Sequence, residues 1–331
     1  MIAITPWLSL HCFLTDPRQQ EAFLASRIVP LMREWTVAGA VESWFFIRYW
    51  EGGPHLRLRL RGQITADPAQ VIASLGNGIA TWMTPEPLRR EDYYAAHGFD
   101  GTAVDIAALP WFAEGSIEAI AYVPELQRYG GAAAIAASEQ LFAQSSAVAA
   151  ALVRAAPGDM HRRTALAFAL MAAAGFAFTG EAAGVSRYFD DYAAGWSQYS
   201  VANRTLAANL AADAAANPGH VAALRGLIAD RGAGTGHPLT AAWSGGVTAL
   251  VTALAALAAA GRLVSPYDGS TVAGAAATRR AIAGIIGSQI HMLNNRLGLA
   301  PAAELVLAVH IARAAAAIAA ATPRPTLEMV A

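Results

Sequence analysis

Three arginines stand at alternate positions, Arg57, Arg59 and Arg61, in the run His-Leu-Arg-Leu-Arg-Leu-Arg. Successive side chains of a strand point to opposite faces, so the three guanidinium groups share one face while Leu56, Leu58 and Leu60 fill the other. Guanidinium groups fixed on a sheet suit carboxylates, which they grip through paired hydrogen bonds. A merely solvated strand face would show the same spacing, so spacing alone does not make a site. Arg128 lies further on, in Tyr-Val-Pro-Glu-Leu-Gln-Arg-Tyr-Gly-Gly (122–131), and His291 in Gly-Ser-Gln-Ile-His-Met-Leu-Asn-Asn-Arg-Leu-Gly (287–298). Arg57, Arg59, Arg128 and His291 together offer permanent cations and one group that exchanges protons near neutral pH. Such a set suits a substrate with carboxylates, or a reaction that builds an enolate-like oxyanion. Positions four apart on a helix share a face, so Asn295 is expected to orient His291.

The elements that must carry these residues can be read from the patterns around them. Trp44–Trp50 is dense in aromatic and β-branched residues, and Glu-Gly-Gly-Pro (51–54) supplies a turn, so 44–61 reads as a β-hairpin. A first strand is expected over Trp7–Leu14. Asp16-Pro17 and Asp67-Pro68 are helix starts, for helices over 21–35 and 69–82. The first 83 residues form a compact α+β unit on this reading. From Thr84 to Ser116 no period persists, and residues 84–120 read as an insertion or lid-like loop. Residues 121–331 read as mainly helical and packed with 1–83 as one domain, with helices over 133–156, 160–178, 185–215, 218–229, 239–261, 271–296 and 302–321. The tail from Thr322 is expected to fray. The fold class is therefore α+β, a small antiparallel sheet followed by a helical array.

Composition narrows the function. The chain has 331 residues, 55% of them apolar, and a net charge of -1, which argues against a strongly basic nucleic-acid binder. All 23 cations are arginine, so their abundance says little and their placement is the usable signal. Cys12 stands alone, excluding an intramolecular disulfide and a thiolate cluster, and a reducing, cytoplasmic location fits. The first residues lack the pattern of a secretory signal. Gly245–Ala260, shorter than the roughly 20 residues that span a bilayer, reads as a buried helix, and no membrane span is expected. Neither a paired-histidine metal motif nor a P-loop nor a Gly-x-Ser-x-Gly elbow is present, so no metal and no cofactor is expected. His11, His97, His161, His220, His237 and His310 lack polar neighbours at useful spacing and read as structural.

At these residues the chain resembles the small, C-terminal elimination domain of class I lanthipeptide dehydratases, also found as a separate chain in thiopeptide clusters. The resemblance rests on Trp44–Tyr49, His55–Arg59, Tyr122–Gly131, Ser138-Glu139-x-x-Phe142 and His291–Gly298, in the family's order. It implies that a separate protein uses glutamyl-tRNA to esterify Ser or Thr of a precursor peptide, and that this chain then expels glutamate to leave dehydroalanine or dehydrobutyrine. The elimination residues carried over are Arg57, Arg59, Arg128 and His291, with Arg48, His55, Arg61, Tyr129, Asn295 and Arg296 assigned to substrate binding. No direct contact with nucleic acid is implied, and a homodimer is allowed. The 84–116 segment departs from the family's compact spacing, and the chain has no room for the larger glutamylation domain. The same small fold serves thiopeptide pyridine synthases, which perform a formal [4+2] cycloaddition on dehydroalanines. That activity and a non-catalytic peptide-binding subunit are the alternatives.

Overall fold

The computed structural model describes residues 7–96, 105–155, 157–212 and 215–322. The readings made for His97, for the first six residues and for the tail beyond Thr322 lie outside them. The chain divides into two compact units, one comprising the residues up to Arg163 with Thr252–Leu299, the other Thr164–Val251 with the residues from Ala300 on. Neither residue 83 nor residue 120 is a boundary of these units.

The first unit holds the sheet. Strands β1 (Leu8–Phe13), β2 (Ser43–Tyr49), β3 (His55–Arg61) and β4 (Ile117–Ala119) are antiparallel in the order β2-β3-β1-β4. The hairpin pairs Tyr49 with His55, Ile47 with Arg57 and Phe45 with Arg59, while β1 sets His11 opposite Arg57 and Ser9 opposite Arg59. Period-two alternation then puts Ser9, His11, Phe45, Tyr49, His55, Arg57, Arg59 and Arg61 on one face. On the other, Leu10, Cys12, Phe46, Leu56, Leu58 and Leu60 are fully buried. The period-two run did specify which face turns to the core.

Helix α1 (Pro17–Phe23) starts where Asp16 accepts a hydrogen bond from the Arg18 N–H, and a π-type turn, Leu24–Ile28, leads into α2 (Val29–Val37). Helix α3 (Pro68–Gly76) is capped by Asp67 but ends before Trp82, because Gly78 turns left-handed and Ile79–Trp82 tighten into a 3-10 turn. The 84–116 segment is not structureless: α4 (Arg90–Ala96) forms within it. Two long helices complete the unit beside β2, namely α5 (Ile135–Ala155) and α11 (Ala275–Leu297).

In the second unit α12 (Pro301–Ala321) packs along α7 (Ala182–Gln198), α8 (Val201–Ala212) and α9 (Pro218–Ala233). The single helix expected over 185–215 is two, because the Ser200 hydroxyl accepts from the Asn203 N–H (3.0 Å) and starts α8 afresh. Helices α6 (Met160–Thr179) and α10 (Pro238–Ala259) run from one unit into the other. The buried-helix reading of 245–260 needs correcting. α10 spans 22 residues at a mean hydropathy of 1.6, and only 22% of its most apolar window is buried. Trp243, Val247, Leu250 and Leu254 form the buried stripe, and the exposed remainder is largely alanine. By length and composition α10 and α12 would each suffice to cross a membrane, so shortness does not argue against a span.

Candidate active site on the arginine face

The free edge of β2 explains how the helices meet the sheet. Asn295 accepts from the Arg48 N–H (2.8 Å) and donates to the Arg48 carbonyl (2.9 Å). Arg296 Nε donates to the Phe46 carbonyl (2.7 Å), and the Ser146 hydroxyl accepts from the Phe46 N–H (3.1 Å). Side chains of α11 and α5 thus satisfy a strand edge that would otherwise lie unpaired. Asn295, expected to orient His291, has its amide committed to this edge instead. Arg296, assigned to substrate binding, is fully buried against the Phe142 ring at 5.4 Å, its pKa lowered to about 9 by burial.

Arg57 and Arg59 point away from the leucine face. The Arg57 guanidinium lies 3.3 Å from the Tyr49 ring centroid, its Nε donates to His55 Nε2 (3.2 Å), and Glu51 stands 3.9 Å away. Arg59 lies 5.3 Å from the Tyr122 ring and is 5% exposed, and among the described residues its Nε and Nη1 have no hydrogen-bond partner. Burial, then the field of Arg57, lowers its pKa to about 10, so it stays charged at neutral pH. Among the described residues no carboxylate forms an ion pair with it. Arg61 lies 4.7 Å over Trp7, at the outer end of the row.

Arg128 Nε donates to the Ser288 hydroxyl of α11 (3.2 Å), and Nη1 pairs with Glu125 (3.3 Å). Ser288, His291 and Asn295 fall at i, i+3 and i+7 of one helix face. A circuit follows: Arg57 on Tyr49, the neighbouring Arg48 backbone on Asn295, His291 one turn back, Ser288 on Arg128, and Arg128 on Glu125, whose charge acts on Arg57 and Tyr49. Arg57, Arg128 and half-buried His291 belong to this circuit, and Arg59 lies one strand repeat from Arg57.

Two other assigned residues are engaged within the protein. Arg48 extends from the leucine face, where it is nearly buried; burial lowers its pKa to about 10, and Glu21 of α1 opposes the shift. His55 is fully buried with both ring nitrogens occupied, by the Gly53 carbonyl (2.7 Å) and by Arg57 Nε. Tyr129 is buried beneath Arg128 and packed edge-on to Phe142, its pKa pushed up to about 12 by burial.

Residues not singled out from sequence also line the face. Tyr49 is the shelf for Arg57, Tyr122 for Arg59, and Tyr122 is hydrogen-bonded with Glu139, which with burial holds the phenol protonated. Tyr122 and Glu125 lie inside the Tyr122–Gly131 motif and Tyr49 faces His55 across the hairpin turn, so local signals existed for these three. His11, stacked on His55 at 4.8 Å, had none, since it arrives through β1–β3 pairing. Charged at one end, aromatic along its floor and bordered by half-buried His291, the surface can hold carboxylates and an enolate-like oxyanion while exchanging a proton.

Comparison with known proteins places this geometry. The family model described as "Lantibiotic biosynthesis dehydratase C-term" matches residues 7–315. Among curated proteins none matches. Three solved structures share the fold. The pyridine synthase TbtD from thiomuracin biosynthesis has a TM-score of 0.70 at 19% identity, over 95% of this chain and 98% of that one. TsrL has a TM-score of 0.64 at 18% identity, over 97% and 99%. The tRNA-dependent lantibiotic dehydratase MibB from Microbispora sp. 107891 has a TM-score of 0.51 at 21% identity, over 95% of this chain but only 28% of MibB.

Proposed function

The chain belongs to the lantibiotic dehydratase C-terminal family, and from that premise we propose that it eliminates glutamate from O-glutamylated Ser or Thr of a ribosomally made precursor peptide. A separate glutamyl-tRNA-dependent protein supplies the substrate, and the work is done in the cytoplasm. The observation that carries the reading is Arg59: a buried guanidinium whose Nε and Nη1 lack a partner, on a face shared with Arg57. A buried charge without a counter-ion is costly, so it is expected where a ligand brings the anion.

The chemistry assigns the roles. A base takes the weakly acidic Cα proton, the electron pair left behind forms the Cα=Cβ bond, and the Cβ–O bond breaks with its electrons leaving on the glutamate carboxylate. Arginine, with a pKa above ~12 in water, is not that base. Arg57, Arg59 and Arg128 hold the glutamyl carboxylates and the developing oxyanion. His291 moves the proton.

A second reading, a pyridine synthase, has its own support: the pyridine synthase TbtD matches over 98% of its length, whereas MibB matches over 28%. One experiment separates the two. Purified protein is given a glutamylated precursor peptide, and loss of glutamate is followed by mass. Dehydroamino acids are expected from wild type, and persistent adducts from Arg59→Ala and His291→Ala. If wild type leaves the adducts untouched yet converts an already dehydrated peptide to a macrocycle with loss of its leader, the pyridine synthase reading replaces elimination.

A further inference from the structure

His55 lies directly across the hairpin turn from Tyr49 and one strand repeat before Arg57. Its Nδ1 is 2.7 Å from the Gly53 carbonyl oxygen, which only accepts, so Nδ1 carries the proton. In the neutral ring Nε2 is then a bare lone pair, and it accepts the Arg57 Nε–H at 3.2 Å. With Nε held by His55 and its Cζ 3.3 Å from the Tyr49 ring centroid, Arg57 turns its terminal nitrogens outward, Nη2 lying 3.9 Å from Glu51.

The 84–116 segment holds this arrangement from behind. Tyr94, buried in α4, accepts the Gly52 N–H (3.0 Å) and donates to the Pro110 carbonyl (2.9 Å). The Phe112 N–H returns to the Gly52 carbonyl at 3.0 Å. Gly52 and Gly53 both have positive φ, and a Cβ on either would press on Phe112 or Trp111 at 3.0–3.3 Å, so the turn is shaped to this segment. Phe112 stacks on Phe13 (4.5 Å), Phe13 lies 4.4 Å from the His55 ring, and His11 stacks on the His55 ring at 4.8 Å.

We propose that His55 is a positioning residue that fixes Arg57 through an Nδ1-protonated ring, and that Tyr94 of α4 with residues 110–112 sets that ring by clamping the Gly52–Gly53 turn. The effect on catalysis rests on the elimination reading; the tautomer does not. The titratable and charged groups around the pair are His11 on β1, Tyr49 on β2, Arg57 and Arg59 on β3, Glu51 in the turn and Glu125, whose charge acts on Arg57 and Tyr49. Burial, together with the two arginines and against the Gly53 bond, holds the His55 pKa at about 4, so the acceptor lone pair survives at neutral pH.

Two measurements test this. Long-range nitrogen–proton NMR of wild type at pH 7, with the His55 signals assigned by their loss in His55→Gln, is expected to show a protonated Nδ1 and a bare Nε2. An Nε2–H ring or an imidazolium overturns the proposal whatever the reaction is. On glutamylated peptide, His55→Ala is expected to raise KM about tenfold, the size of one lost charge-assisted hydrogen bond. His55→Gln, whose Oε1 reaches where Nε2 sits, should recover to within about threefold, and Tyr94→Phe should raise KM about threefold. A merely structural role would lower the active fraction, and with it kcat, at constant KM. An unchanged KM in His55→Ala, or a Gln variant no better than Ala, overturns the positioning role, and an unmoved KM in Tyr94→Phe overturns the clamp. Should wild type itself release no glutamate, the reaction assignment falls while the NMR result still decides the tautomer.

Discussion

Two groups of buried arginines sit on opposite faces of one sheet, and they are built differently. On the leucine face Arg163 is bidentate to Glu21, with Nη1 2.6 Å from Oε2, and Glu21 also receives the Gly158 N–H (2.7 Å) and acts on Arg48. On the other face, among the described residues, Arg59 forms no ion pair with a carboxylate, while Arg57 has half-exposed Glu51 at 3.9 Å and feels the charge of Glu125. The same residue type is stabilised internally in one place and left for an outside anion in the other. Buried arginine is therefore not a functional signal by itself, and neither is a missing carboxylate, since buried Arg296 lacks one among the described residues while its Nε serves the Phe46 carbonyl; the signal at Arg59 is an unpartnered guanidinium edge on the face that also carries Arg57.

Removing that difference gives the largest expected effect. Glu21→Ala strips the anion from two buried guanidinium groups, and breaking such a pair costs about 3–5 kcal/mol. Denaturant unfolding should show that loss, while turnover per folded molecule stays near wild type. An unfolding free energy within about 1 kcal/mol of wild type would show the leucine-face cluster to be as incomplete as the other.

Next comes the opposite sign on the opposite face. Arg59→Leu should lower kcat/KM for a glutamylated peptide by about a hundredfold, comparable to losing one preorganised charge donor. Stability should stay level or rise by about 1 kcal/mol, since an unpaired buried charge is removed. A variant that loses stability as Glu21→Ala does would mean that Arg59 has a structural partner and the two faces are alike.

How much of this contrast was legible beforehand depends on range. The alternation of 55–61 placed three arginines on one face because a strand has only two faces to choose from. Hairpin partners followed from the turn. Helix starts at Asp16 and Asp67 were marked by caps and prolines, and the breaks at Gly78 and Ser200 by residues whose effect is local but easily overridden. What could not be read was which surface a helix face meets. Spacing put Asn295 on one side with His291, but not that its amide lies against the edge of β2. Strand β4 is three residues long, too short for any period, and His11 reaches His55 only through pairing distant in sequence.

The pH dependence sharpens the comparison at intermediate size. In the folded chain His55 titrates at about 4 and His11 at about 2, both lowered from 6.5, burial being the first cause. A depressed histidine means that the unfolded chain binds the extra proton first, so stability is full above pH 6.5 and falls as pH drops from there toward 4. Glu21 is also depressed: burial opposes, but Arg163 and the Gly158 N–H prevail, so its contribution is present above 4.5 and lost below. Unfolding measured between pH 7 and 5 thus reports the arginine face, and below 4.5 both faces. His55→Gln should flatten the upper range on the order of 1–3 kcal/mol and leave the lower one sloping. A Gln variant with the wild-type slope between pH 7 and 5 would remove His55 as the source.

The smallest expected effect concerns the strand edge that joins the two faces. Asn295→Ala removes both hydrogen bonds to the Arg48 backbone and leaves that N–H and carbonyl partly buried, at a cost of about 1–2 kcal/mol. Because the amide serves the edge and not the imidazole, kcat on glutamylated peptide should stay within about twofold of wild type per folded molecule. Had Asn295 been the orienting partner of His291, the same variant would lower kcat while leaving unfolding nearly unchanged. Asn295→Asp discriminates further, since its carboxylate still accepts from the Arg48 N–H but repels the Arg48 carbonyl. It should therefore be no more stable than Asn295→Ala, whereas an Asp variant as stable as wild type would mean that the donated bond to the Arg48 carbonyl contributes nothing.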